Sequence, residues 1–162
     1  MIKDKACGNV VGHVKYVGKN EEGKIIYNHE HNIDLGEHNT VCDLYYDMVA
    51  DLMAGGSDAV IAYGHAGTGS GQAATDTNLA TPCPEVRTAI TSSTQGGGAD
   101  AHKMTVIFTL AAGVCTATLT ECGLFVASAQ ATADLMLYDD SINFAKAAGD
   151  TLEVTWVVTH EN

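Results

Sequence analysis

The side chains of this 162-residue chain best suited to chemistry are its histidines, cysteines and carboxylates, and spacing decides what they can do. His29 and His31 stand two apart, which on a strand turns both imidazoles to one face. With a third ligand such a pair binds zinc or nickel, and His13 comes within reach if the flanking segments form a hairpin. The plainer alternative is a pair of polar histidines near a sheet edge. His29-Glu30-His31 lacks the spacing of a helical HExxH site. Residues 64–72 are glycine-rich enough to be tested as a phosphate loop. A Walker loop needs Lys-Ser/Thr after its last glycine, because the lysine meets the phosphates. Here Gly69 is followed by Ser70 and Gly71. The spacing of Gly67, Gly69 and Gly71 also misses the dinucleotide pattern, and no helix opens after them. The stretch reads as a flexible crossing between strands. Asp76-Thr77-Asn78 and Asp139-Asp140 lack EF-hand spacing, and no GxSxG elbow occurs. No catalytic residue and no cofactor is expected.

Cys7, Cys42, Cys83, Cys115 and Cys122 fit no CxxC and no zinc spacing. Free thiols are expected for a protein made in a reducing cytoplasm. Cys7, in a leading arm, and Cys83, between Pro82 and Pro84, are the two placed to link subunits in an oxidising medium. Lys146 is expected to pack its stem while its ammonium reaches a carboxylate, with Glu121 the candidate partner.

These residues must be held by strands. From 151 onward Leu152, Val154, Trp156 and Val158 alternate with Glu153, Thr155, Val157 and Thr159, so one strand face is large and apolar. Residues 10–17 and 24–31 alternate likewise around a turn containing Gly23, and form a hairpin. Val41, Leu44, Tyr45, Met48, Val49 and Leu52 follow the helical period. A helix over 40–54 is expected, capped by Asn39 or Thr40 and ended by Gly55-Gly56. Its Asp43, Asp47 and Asp51 form an outer ridge. Short strands follow at 59–63, 87–92, 103–110, 114–120, 121–127 and 135–138. The expected fold is mainly β: an antiparallel β-sandwich of jelly-roll or Greek-key type, with an N-terminal hairpin and one amphipathic helix. One domain covers 1–162, divided into an arm (1–9), the hairpin (10–31), the helix (40–54) and the sandwich (59–160). Leu44, Met48, Leu52, Phe108, Leu124, Phe144, Leu152, Val154 and Trp156 are its expected core.

Charge narrows the partners. Residues 1–24 carry five lysines against three acids, a balance of +2, while the remainder carries three cations against seventeen acids, −14. An acidic body disfavours nonspecific nucleic-acid binding. No stretch is long and apolar enough for a membrane span, and the first residues lack the apolar core of a signal peptide. Lys3, Lys5, Cys7 and Lys15 are the residues expected to meet neighbouring subunits.

The order of features resembles small virion structural proteins of tailed bacteriophages. It runs from the hairpin with Gly23, through Asn32 and the helix ending in glycines, to Tyr63–Gly71 with Asp76-Thr77-Asn78-Leu79. Arg87 follows, then Glu121-Cys122-Gly123-Leu124-Phe125. Phe144, Lys146, Gly149, Asp150, Leu152, Val154 and Trp156 close the series, so the resemblance covers nearly all of 10–160. It implies a non-enzymatic capsid decoration (cement) protein, made in the host cytoplasm and located in the virion. Such a protein is expected to bind the major capsid protein or neighbouring virion proteins as a homotrimer, with no nucleic-acid or membrane partner. A tail, collar or baseplate adaptor is the alternative from the same resemblance. A carbohydrate-binding sandwich and a metal-dependent enzyme on a cupin-like jelly roll, the latter resting on His29 and His31, are more distant ones.

Overall fold

Alternation of the kind seen near the C-terminus buries every second side chain, and it organises the larger of two main sheets. The computed structural model describes residues 10–33, 39–56 and 60–160. It contains β1 (Val10–Lys19), β2 (Ile25–Ile33), β3 (Asn39–Val41), α1 (Asp43–Met53), β4 (Tyr63–Gly67), β5 (Thr88–Ala89) and β6 (Ser92–Gln95). After these come β7 (Lys103–Leu110), β8 (Thr118–Leu119), β9 (Glu121–Phe125), β10 (Leu135–Asp139), β11 (Phe144–Ala145) and β12 (Thr151–His160). One five-stranded antiparallel sheet has the order β2-β1-β12-β7-β6, a second β3-β10-β9-β4-β5, and β8 pairs with β11. No described helix is long and apolar enough to cross a membrane.

β12 lies between β1 and β7. Its register sets Trp156 opposite Val14 and Val106, and Val154 opposite Tyr16 and Phe108. All six are fully buried, and they share one core with Ala66, Cys122, Leu124 and Leu137 of the second sheet. Each large apolar side chain removed from water contributes about 1.5–3 kcal/mol. The two sheets are also joined by a polar bond, from the Tyr16 hydroxyl to the Asp139 carboxylate. The hairpin forms as expected, with β1 and β2 antiparallel and Gly23 at φ +76° in the turn.

The helix is shorter than its periodicity implied. Asn39–Val41 pairs with β10 as a strand, so Val41 leaves the helical stripe. The cap is Cys42 in extended conformation, with no side-chain cap bond. The Asp43 N–H is satisfied by the Ala74 carbonyl at 2.9 Å, so a tertiary contact takes the place of the Asn39 or Thr40 cap. Tyr45 and Met48 are buried, and Leu44 and Val49 pack against the same core. Leu52 is 41% exposed, against expectation, because the buried contacts of α1 come from its earlier turns. The remaining expected core residues, Phe108, Leu124, Phe144, Leu152, Val154 and Trp156, are buried.

Two segments depart further from the sequence pattern. The glycine-rich stretch from Gly64 to Gly67 is strand, with β4 paired to β9 and β5. Its glycines serve close approach: a Cβ on Gly64 would lie 2.3 Å from the Phe108 ring of the facing sheet. Residues 114–120 do not return against β7. They follow the segment before β12 instead, through Gly113 N–H to Ala148 O at 2.7 Å and Lys146 N–H to Ala117 O at 2.9 Å.

Candidate functional site

Three segments distant in sequence meet beside the core. β4 supplies His65. The stretch after it returns antiparallel, with the Cys83 N–H on the Ala66 carbonyl at 3.1 Å, and brings Cys83 and Glu85. The turn after β7 brings Cys115, at φ +51°. Ligand atoms of Cys83, Glu85 and Cys115 all lie within 4.8 Å of one another, and among the described residues they form the one such group of three or more His, Cys, Asp or Glu. Cys83, Cys115 and His65 are buried. His65 Nδ1 is 4.0 Å from the Cys115 sulfur. On the other side of the ring, Nε2 faces the Cys83 carbonyl oxygen at 3.1 Å. Nε2 also lies 3.3 Å from the Gln130 amide nitrogen, whose two hydrogens go to the carbonyls of Cys83 and Glu85. A carbonyl only accepts, so the tautomer with the proton on Nε2 satisfies these partners and leaves the Nδ1 lone pair facing the Cys115 sulfur. The Gln130 amide nitrogen donates to the carbonyls of Cys83, at 2.6 Å, and Glu85. Glu85 Oε2 is buried and finds no hydrogen-bond partner among the described residues.

The electrostatics divide the two thiols. A hydrogen bond from Cys115 favours the Cys83 thiolate and pulls its pKa below the ordinary thiol value. Giving that bond, together with burial, holds Cys115 protonated and pushes its pKa up. Burial lowers the His65 pKa and keeps the ring neutral. Lys146 is 2% exposed and donates to the Ala111 carbonyl at 3.0 Å, and burial lowers its pKa as well. The expected Lys146–Glu121 pair is therefore replaced by a lysine–carbonyl bond. Cys83, expected to be accessible for linking subunits, is 4% exposed and turned inward. Cys7, Lys3 and Lys5 lie outside the described residues.

Glu121 has a different task. Fully buried, it accepts backbone N–H bonds from Gly69 at 3.0 Å, Ala80 at 2.9 Å and Thr81 at 2.8 Å. These tie the loop after β4 to β9, and side chains at Gly67 or Gly69 would strike the same carboxylate. Arg87 is equally committed. It pairs with Asp134, donates to the carbonyls of Ala127 and Thr132 at 2.9 Å each, and reaches Asn78 Oδ1 at 3.3 Å. Its guanidinium carbon sits 3.6 Å from the centre of the Phe125 ring. The Asp134 carboxylate in turn receives the N–H groups of Val126 and Ala127.

His29 and His31 share a face of β2, as their spacing requires. They stand opposite Tyr16 and Val14, while His13 is opposite Asn32 on the other face, so it adds no third ligand. His29 lies near Tyr16 and Tyr27, with ring centroids 6.3 and 6.2 Å away. Together with Glu30, Asn32, Asp140 and Ser141 the two histidines line an open groove of about 460 Å³. Lys15 pairs with Glu30 across the hairpin at 2.5 Å, and both are substantially exposed. Sequence spacing alone missed the thiol cluster, since nothing in the chain joins position 83 to 115; Pro82-Cys83-Pro84-Glu85 was the one local sign. Comparison with protein-family models, curated proteins and solved structures finds no match.

Proposed function

We propose that this chain is a non-enzymatic structural protein of a tailed-phage virion, acting as a capsid decoration protein. The observation that carries the reading is how the polar residues of the virion-protein resemblance are used. Arg87, Asn78, Glu121 and Lys146 direct their polar groups at backbone and at one another inside the fold. These four side chains are spent on holding the fold and are not aimed at a shared reagent position, as a scaffold requires. β12, the last strand in sequence, lies between β1 and β7; this out-of-sequence order supports a Greek-key arrangement, and we read the whole as the jelly-roll type.

The surface fits docking. β2 is a nine-residue edge strand, and Ile25 and Ile26 near its start are 56% and 47% exposed. Among the described residues its outer edge is unpaired, and such an edge offers backbone groups to a neighbouring chain. A protein that binds only the assembled shell stabilises that shell by mass action. A trimeric state and contact with the major capsid protein follow from the resemblance.

Purified particles, analysed by quantitative mass spectrometry with the labelled protein located by electron microscopy, test the proposal. A copy number that follows the capsid lattice is the expected result. A copy number matching tail symmetry would assign an adaptor instead, and absence from particles would refute a virion role. Removing residues 1–9, with Lys3, Lys5 and Cys7, is expected to weaken attachment while leaving the sandwich folded. A truncated chain that coats heads as tightly as the full one would remove the arm from the account.

A further inference from the structure

We propose that Cys83, Cys115, His65 and Glu85 form a closed structural zinc site that staples three segments of the sandwich. Two sulfurs and a carboxylate oxygen already lie within 4.8 Å of one another, and the bare imidazole nitrogen stands 4.0 Å from one sulfur. Zinc takes ligands at about 2.0–2.3 Å in a tetrahedron, so side-chain rotations that draw these atoms inward complete the sphere. Two sulfurs, one nitrogen and one carboxylate are a donor set that zinc accepts and that calcium or magnesium does not.

Three features around the cluster belong to a metal site. His65 gives its other ring N–H to a backbone carbonyl, the outer-sphere bond that fixes the ligating tautomer. Glu85 Oε2 is buried and lacks any hydrogen-bond partner among the described residues, a costly arrangement that a cation would relieve. Gln130 clamps the carbonyls of Cys83 and Glu85, holding both ligands on one short segment. Charge also balances. Zn²⁺ displaces two thiol protons, and two thiolates with one carboxylate leave the centre at −1; the buried Lys146 ammonium interacts electrostatically with Cys115, Cys83 and Glu85. The metal would join residues 65, 83–85 and 115, closing long loops that no described disulfide closes.

The test uses the full-length, untagged protein purified without chelator. Elemental analysis is expected to find one zinc per chain, and X-ray absorption two sulfurs at about 2.3 Å with two nitrogen or oxygen ligands at about 2.0 Å. Metal-free protein should bind Co²⁺ with the thiolate charge-transfer band of a tetrahedral site. C83S and C115S should each lose more than about 100-fold in affinity, and Q130A about 10-fold as a positioning residue. C42S and C122S should retain the site. A Cys83–Cys115 disulfide in peptide maps of the freshly purified protein would overturn the proposal. So would a sulfur-free zinc shell, absence of the Co²⁺ band from wild type, or its survival in folded C83S. The absorption and cobalt measurements on wild type keep the test decisive if the cysteine variants fail to fold.

Discussion

Replacing Arg87 by methionine keeps most of the side chain's reach while removing its charge and its five N–H donors. Asp134, 6% exposed, would then hold a carboxylate in the interior with only the Val126 and Ala127 N–H groups to stabilise it. The carbonyls of Ala127 and Thr132 would each lose a charged donor at 2.9 Å, and the Phe125 ring its cation. Removing one member of a buried ion pair costs about 3–5 kcal/mol, a large part of the roughly 5–15 kcal/mol that stabilises an ordinary domain. R87M is therefore expected to lose about 4 kcal/mol. D134N should lose about 3 kcal/mol, because the guanidinium retains its carbonyl acceptors. The double variant should lose less than the two together, with a coupling of about 1–3 kcal/mol. Trp156, the one tryptophan and fully buried, reports unfolding in urea by its fluorescence. An R87M midpoint corresponding to less than about 1 kcal/mol, or strict additivity with D134N, would refute the view that this pair organises the segment before β5 and the loop after β9.

Glu121→Ala frees the N–H groups of Gly69, Ala80 and Thr81 and is expected to cost about 2–4 kcal/mol; limited proteolysis should show cleavage moving into residues 68–81. Gly64→Ala places a Cβ 2.3 Å from Phe108 and should cost about 1–3 kcal/mol by overpacking, measurable as a lower Tm. Tyr16→Phe removes the hydroxyl bond that ties β1 to β10 and should cost about 1–3 kcal/mol in urea unfolding. Burial raises the Asp139 pKa above the usual carboxylate value, against hydrogen bonds from Tyr16 and Ser141 that lower it. The folded protein thus holds that proton more tightly than the unfolded chain. Its contribution is full below the unfolded pKa and is lost as pH rises through the folded one. D139N should accordingly gain stability relative to wild type as pH rises through that window, and parallel urea titrations with a pH-independent difference would contradict the assignment.

Elements whose burial follows from their own period were legible before any tertiary information. The hairpin, the strand from Lys103 to Leu110 and the strand from Thr151 to His160 each alternate strictly, and each forms. The helix was legible in its middle, at Tyr45 and Met48, and misjudged at its ends. Val41 was taken by β10 and the cap by Ala74, both distant in sequence. β4 was misread because its glycines look like a loop when seen alone. Only the ring of Phe108 across the core explains why position 64 must lack a side chain.

The same division separates fold from site. Alternating apolar residues specify extended segments and their inward faces, because a strand's geometry repeats every two residues and water excludes the same face each time. Which polar side chains meet is a matter of how those segments stack and which loops cross them, and spacing along the chain carries no record of it. Glu121 binding the loop at 69–81, Arg87 facing Asp134, and two thiols with a histidine and a carboxylate gathered from positions 65, 83–85 and 115 all arise only when the sheets close.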